Sequence, residues 1–338
     1  MISLVQIGNG SLRRVALVAE PHLRCLTGVN SIYELTSACI REDASLIGRV
    51  NELTTGELLS YDNVYSGKSA WRLLQPIDVP GAPERVLVSG TGLTHFGSAK
   101  DRQAMHERKA TETAKPITDS MRMFEWGIAG GRPKEGEIGT APEWFYKGSG
   151  LMLRAPFAPL TVPAHAEDGG EEAEIAGIYL VAPDGTPHRI GMCPGNEFSD
   201  HQFEQHNYLN LAGSKLRQCS IGPELIVGAK FGAVAGEVCI ERNGNPIWRK
   251  AIETGEDNMS HSLANLEHHH FKFEDHRSPG QVHVHFFGAH SLSFGEGIGL
   301  ADGDWMVVRY KGYGRALRNP LRVEDKNLNR PVRVKPLV

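Results

Sequence analysis

What most constrains this chain is a succession of short apolar runs separated by turns rich in glycine and proline. Val86–Val88, Glu172–Val181, Arg189–Gly191, Leu225–Val227, Val238–Arg242, Val282–Phe287 and Trp305–Tyr310 are strand-like segments bounded by turn residues. This is the pattern of sheets rather than of a helical bundle. Glycine (38) and proline (19) make up about 17% of the residues against an ordinary ~12%. The expected class is α+β, β-rich.

Near the start, Val5–Gly8 and Arg14–Val18 flank Asn9-Gly10, a tight-turn dipeptide that predicts a hairpin. Ser31 to Leu53, with Ile32, Leu35, Ile40 and Leu46 among its apolar positions, reads as one amphipathic helix. Pro76–Pro83 reads as a linker, dividing a small N-terminal α/β domain (1–80) from a larger domain (84–338). Asp101–Trp126 is polar and helix-compatible, and Gly130–Gly139 reads as a mobile segment.

Several classes are excluded by composition. A formal charge of −4 without a long basic run points to neither nucleic acid nor a membrane surface. No apolar stretch approaches the roughly 20 residues that cross a bilayer, and the N-terminus lacks the pattern of a signal peptide. Five cysteines without a C-x-x-C pair argue against a disulfide framework and a cysteine zinc site, so a reducing cytoplasm is expected.

The sharpest chemical feature is Glu172-Ala-Glu174 at the head of an apolar run. In a strand, residues two apart share a face. Two carboxylates so placed repel each other and are costly to desolvate unless a cation sits between them. Oxygen ligands suit Mg²⁺, Mn²⁺ or Ca²⁺; a solvated strand end is the plainer alternative. Glu197, on the turn Gly195-Asn-Glu-Phe-Ser-Asp200, adds a third acid, and Lys215 stands in a neutral, small-residue stretch. A lysine near a metal or in an apolar wall is expected to have a lowered pKa and to serve in proton transfer.

Taken in order, these segments resemble the fumarylacetoacetate hydrolase superfamily. Pro142-Glu-Trp-Phe-Tyr-Lys147 resembles its P-x-x-F-x-K stretch, Glu172-Ala-Glu174 its E-x-E metal pair, and Gly195-Asn-Glu-Phe-Ser199 its G-N-D-x-S turn. Lys215 through Gly222-Pro223 resembles its K-to-G-P segment. Asp302-Gly-Asp304 and Gly312-Tyr-Gly314, followed by Leu317-Arg-Asn-Pro320, resemble its closing motifs. The resemblance implies a mixed β-roll catalytic domain, a Mg²⁺-type ion on Glu172, Glu174 and Glu197, Lys215 beside a 2-keto acid, and a homodimer. Three positions depart from the family pattern: Glu197 replaces an aspartate, His201 replaces an arginine, and no H-x-x-E dyad follows His95. The Asn196–Ile226 spacing and the Gly90–Thr94 turn are most similar to the branch of 2-keto-3-deoxy-pentonate dehydratases.

The expected chemistry is dehydration of a 2-keto-3-deoxy sugar acid through an enolate that a hard cation stabilises. Lys215 or Glu172 would move the C3 proton, and His95 or a water would protonate the departing hydroxyl. The alternative is hydrolysis of a 2,4-diketo acid; a non-catalytic sugar-acid-binding protein is a third reading. Arg102 and Lys147 are candidates for the substrate carboxylate, joined by Ser149, His201 and His290 as substrate-binding positions. His283 and His285 share a strand face and, with His290, are expected at the pocket floor or a subunit contact, in preference to a zinc site.

Overall fold

A computed structural model describes residues 1–99 and 118–337. One large sheet runs from Thr54–Ser60 through His22–Leu26, Leu12–Ala19, Ile2–Asn9, Leu225–Val227 and Pro187–Asn196. It continues through Ala173–Val181, Val282–Phe286 and Val86–Thr91 to Trp144–Ser149. A second sheet orders Asn245–Thr254, Val234–Arg242, Trp305–Tyr310, Leu317–Val323 and Leu160–Val162.

The expected hairpin forms, with Asn9 opposite Leu12 and Gly10 at φ +58° closing the turn. The single helix expected over Ser31–Leu53 is instead two, Ile32–Arg41 and Leu46–Leu53. Asp43 turns the chain at φ 50°, and the Ser45 hydroxyl caps the second helix by accepting from the Gly48 N–H. That capping preference of serine wins over continued helical periodicity. Ile2–Asn9 hydrogen-bonds to Leu225–Val227, so the first 80 residues and the rest share one sheet. Within Pro76–Pro83, Ile77 and Val79 are buried in a common core with Val86 and Val284. The Gly130–Gly139 segment is held by hydrogen bonds, from Thr140 N–H to Gly130 O (2.9 Å) and from Gly139 N–H to Asn265 Oδ1 (3.1 Å). Of the segment Asp101–Trp126, expected as helix, residues 118–126 are among those described, and the helix there runs Asp119–Gly130.

The strand Ala173–Val181 is buried along its whole length because both faces are covered. Ile175 and Tyr179 pack with Val238, Ile240, Met306 and Val308 of the second sheet. Ala176, Ile178 and Leu180 pack with Val284, Phe286 and the helix residues Ile32 and Leu35. Each large apolar side chain among them contributes roughly 1.5–3 kcal/mol by burial, so this strand is the stiff element on which the acidic pair is mounted.

One buried carboxylate joins the N-terminal strands to the C-terminal turn. Glu224 accepts from the Ser3 hydroxyl, the Tyr61 hydroxyl (2.8 Å) and the Arg315 backbone N–H (2.9 Å). A Cβ at Gly314 would stand 2.3 Å from its carboxyl carbon, so glycine is required there. E224A strips the partner from the buried Tyr61 hydroxyl and from two part-buried donors and is expected to cost about 2–4 kcal/mol. Urea unfolding checks it; a loss below about 0.5 kcal/mol contradicts the assignment.

Candidate active site

Antiparallel register brings the three acids together. Ala173 pairs with Asn196 and Glu174 with Gly195, and the Glu197 N–H donates to Glu172 O (2.9 Å). The carboxylates of Glu172, Glu174 and Glu197, all buried, offer oxygens within 4.8 Å of one another. Lys215, at the end of the short helix Leu211–Lys215, donates from Nζ to Glu172 Oε1 (2.5 Å), Glu197 Oε2 (2.7 Å) and Ser199 Oγ (3.0 Å). Its ammonium lies 4.8 Å from the centre of the Phe145 ring. Lys147 is fully buried and pairs with the other Glu197 oxygen, while donating to Phe198 O (3.0 Å) and Lys215 O (2.9 Å). His201 Nε2 is 3.0 Å from Glu172 Oε1.

The electrostatics follow from burial. Burial alone would raise the Glu172 carboxyl, but Lys215 and His201 overturn that and hold it well below the ordinary value. Glu174 stands well above it, through burial and the charges of Glu197 and Glu172. Burial and Glu172 push Glu197 up to about 7 despite its lysines. Burial would lower Lys215, yet Glu172 and Glu197 outweigh it and leave the ammonium well above its ordinary value. The lowered lysine expected from the sequence is therefore not what the acids produce: Lys215 is held charged. Glu174 Oε2 accepts from the Gly288 N–H (2.7 Å), whereas Oε1 is buried without a protein partner. An orphaned carboxylate oxygen beside two further carboxylates fits a hard divalent cation, which Glu172, Glu174 and Glu197 would hold.

Of these groups Glu172, Lys215 and His201 line a cavity of about 690 Å³, as does Glu143. Glu143 was not singled out in the sequence, although Glu143-x-Phe145-x-Lys147 alternates onto one face. Its carboxylate accepts from the Leu93 N–H (3.1 Å) and the Ser120 hydroxyl (3.2 Å). Gly92 allows that approach, since a Cβ there would lie 2.2 Å from Glu143 Oε2.

Other expected site residues lie elsewhere. His95 is fully buried, its Nε2 2.7 Å from the Thr254 hydroxyl and its Nδ1 3.1 Å from the Thr94 hydroxyl. Burial lowers it to about 3, so it is a neutral packing histidine rather than a donor at the cavity. Ser149 ends the strand Trp144–Ser149 and caps the following turn through the Leu151 N–H (3.3 Å). Lys147 is consumed by Glu197 and two carbonyls. His290 turns Nδ1 to Glu253 O (2.8 Å), away from the cavity lining. Arg102 lies outside the described residues. His283 and His285 join an internal histidine cluster: Trp144 Nε1–H donates to His270 Nδ1 (3.3 Å), His270 Nε2 is 2.8 Å from His283 Nδ1, and the His270 and His285 rings stack at 4.3 Å.

No family model matches the sequence, and no curated protein matches it. Among solved structures the likeness extends over nearly the whole chain. A 2-keto-3-deoxyarabinonate dehydratase superposes with TM-score 0.70 at 16% identity, covering 96% of this chain and 100% of the other. A complex of 2-keto-3-deoxy-D-arabinonate dehydratase with magnesium and 2,5-dioxopentanoate gives 0.69 at 16% identity with the same coverage. A fumarylacetoacetate hydrolase from Exiguobacterium antarcticum gives 0.60 at 15% identity, again covering 96% and 100%. The chain has the fold of the fumarylacetoacetate hydrolase superfamily.

Because burial and neighbouring charge raise the Glu174 carboxyl well above its ordinary value and Glu197 to about 7, binding of a divalent ion competes with protons. Mg²⁺ affinity is expected to rise from about pH 6 to about pH 8, with proton release visible by calorimetry in buffers of different ionisation enthalpy. E174Q should weaken binding by more than the roughly 10–100-fold typical of outer-shell changes; unchanged affinity contradicts the assignment.

Proposed function

We propose that this chain is a divalent-metal-dependent hydro-lyase of the fumarylacetoacetate hydrolase superfamily, converting a 2-keto-3-deoxy sugar acid of the pentonate type to its semialdehyde. The observation that carries this reading is that Glu143 and Lys215 line one cavity with Glu172 of the acidic trio. His201, the histidine among the described lining residues, is engaged by Glu172 instead of being poised to activate water. Hydrolysis of a 2,4-diketo acid would need such a water-activating group.

Glu172, Glu174 and Glu197 would hold a divalent cation, which would supply Lewis-acid stabilisation of the enolate. The charged Lys215 holds Glu172 and Glu197 in place and presents positive charge where the keto oxygen becomes negative. Glu143 takes the C3 proton, the C3–C4 double bond forms as the C4–O bond breaks, and the hydroxyl leaves with a proton as water. Loss of a C5 proton and of the C5 hydroxyl proton, with protons returned at C3 and C4, then converts the C5 alcohol to an aldehyde. The five-carbon acid thus gives up the elements of one water and nothing else, and no external oxidant or reductant is needed. Because it is held charged, Lys215 suits electrostatic stabilisation better than the role of base.

The five cysteines are all free and buried, in keeping with a reducing cytoplasm; homodimerisation is proposed on the family resemblance. No described helix is long and apolar enough to cross a membrane.

Purified protein with Mg²⁺ and both C4 epimers of 2-keto-3-deoxypentonate should yield 2,5-dioxopentanoate, followed by NMR. E143Q should lower kcat by about 10²–10⁴ with little change in KM. Pyruvate release from a 2,4-diketo acid, with no semialdehyde from either epimer, would establish the hydrolase instead.

A further inference from the structure

Glu171 precedes the metal-site residue Glu172 in the chain but turns to a different partner. It is fully buried, and a single distant residue takes both of its oxygens. The Ser293 N–H donates to Oε1 (2.8 Å) and the Ser293 hydroxyl to Oε2 (2.7 Å). Ser293 opens the short 3-10 turn Ser293–Glu296, and the preceding Leu292 offers no capping side chain. Donors at the start of such a turn need a partner from outside it; Glu171 supplies one. Earlier in the same segment, the Gly288 N–H donates to Glu174 Oε2 (2.7 Å). Residues 288–296 are thus tied twice to acids at the head of the strand Ala173–Val181, and Ala289, Leu292 and Phe294 from this segment line the cavity.

Phe294 carries the tie back to the acidic trio. Its ring lies 5.1 Å, centre to centre, from that of His201, whose Nε2 is 3.0 Å from Glu172 Oε1. The His201 ring also rests against Gly170, where a Cβ would stand 2.4 Å from Nδ1. The contacts close a circuit from Glu171 to Ser293, along the chain to Phe294, across to His201, on to Glu172, and back to Glu171 through the backbone.

We infer that Glu171 is a positioning residue for the metal centre: through Ser293 it seats Phe294 on His201, and His201 in turn aims the Glu172 carboxylate. This rests on the metal-dependent reading above and adds to it a residue that touches neither cation nor substrate. Contacts of this kind set the direction in which a ligand presents its oxygens, and losing them typically costs 10–100-fold in metal affinity.

Mg²⁺ affinity, measured by calorimetry on the wild type, E171M, E171Q, F294A and the double variant E171M/F294A, tests the circuit. E171M fills similar space without an acceptor and should weaken Mg²⁺ about 10-fold, as should F294A. E171Q still accepts the Ser293 N–H at its amide oxygen and can donate to the Ser293 hydroxyl, so it should stay within about two-fold of the wild type. The double variant should be within about two-fold of the weaker single one, because both changes break the same path. E171Q as weak as E171M, additive losses, or no Mg²⁺ binding by the wild type overturns the assignment. So does a lower urea midpoint for E171M with Mg²⁺ affinity unmoved, the mark of a purely structural carboxylate. If E171M does not fold, F294A decides, and wild-type Mg²⁺ affinity in it overturns the assignment. If the dehydratase reading alone is wrong, this pattern persists while neither pentonate epimer is turned over. If the positioning role alone is wrong, the wild type turns over substrate and the pattern is absent.

Discussion

Three carboxylates buried within 4.8 Å of one another cannot all carry bare charge, and the rest of the site depends on how that repulsion is met. Lys215 bridges Glu172 and Glu197, and Lys147 takes the remaining Glu197 oxygen. Removing either ammonium would leave a buried charge uncompensated, the costly case for an interior ion pair. Glu174 is left without a lysine. Its unpaired Oε1 gives the cluster a reason to bind a cation as well as to avoid charge.

The sheet makes this geometry stiff. Ala173–Val181 is covered on both faces, and its antiparallel neighbour ends in the turn that carries Glu197. Lys147 comes from the sheet's far edge strand and Lys215 from a short helix packed against that strand. Elements distant in sequence therefore meet at one charge cluster, which suits a reaction in which charge must be stabilised without reorganisation. Beside it, Glu143, Lys250 and Glu296 line the same cavity as Glu172 and Lys215.

Much of this was legible in the residues because it follows local rules. Short apolar runs bounded by turn residues marked the strands Leu225–Val227 and Trp305–Tyr310 to the residue, and E-x-E spacing placed Glu172 and Glu174 on one face. What escaped depends on tertiary partners. Ser45 ended a helix that periodicity would have continued. His95 looked reactive beside a glycine turn, but its surroundings bury it against Thr254 and Thr94. Lys147 looked like a substrate anchor until its partner, Glu197, came across from another strand. Glu143 carried a weak signal, in phase with Phe145 and Lys147, and became meaningful only once the Gly92 turn closed on it. Lys215 illustrates the same limit: an apolar neighbourhood predicts a lowered pKa, and two carboxylates reverse the sign.

The central claim is that the acidic trio and a divalent ion together clamp an alpha-keto carboxylate. Titration of pyruvate into the protein at fixed Mg²⁺ concentrations tests it most directly. The account predicts that saturating Mg²⁺ tightens pyruvate by about 10-fold or more, and that pyruvate tightens Mg²⁺ by the same factor, as linkage demands. Pyruvate affinity that is identical with Mg²⁺ and with a chelator would contradict it.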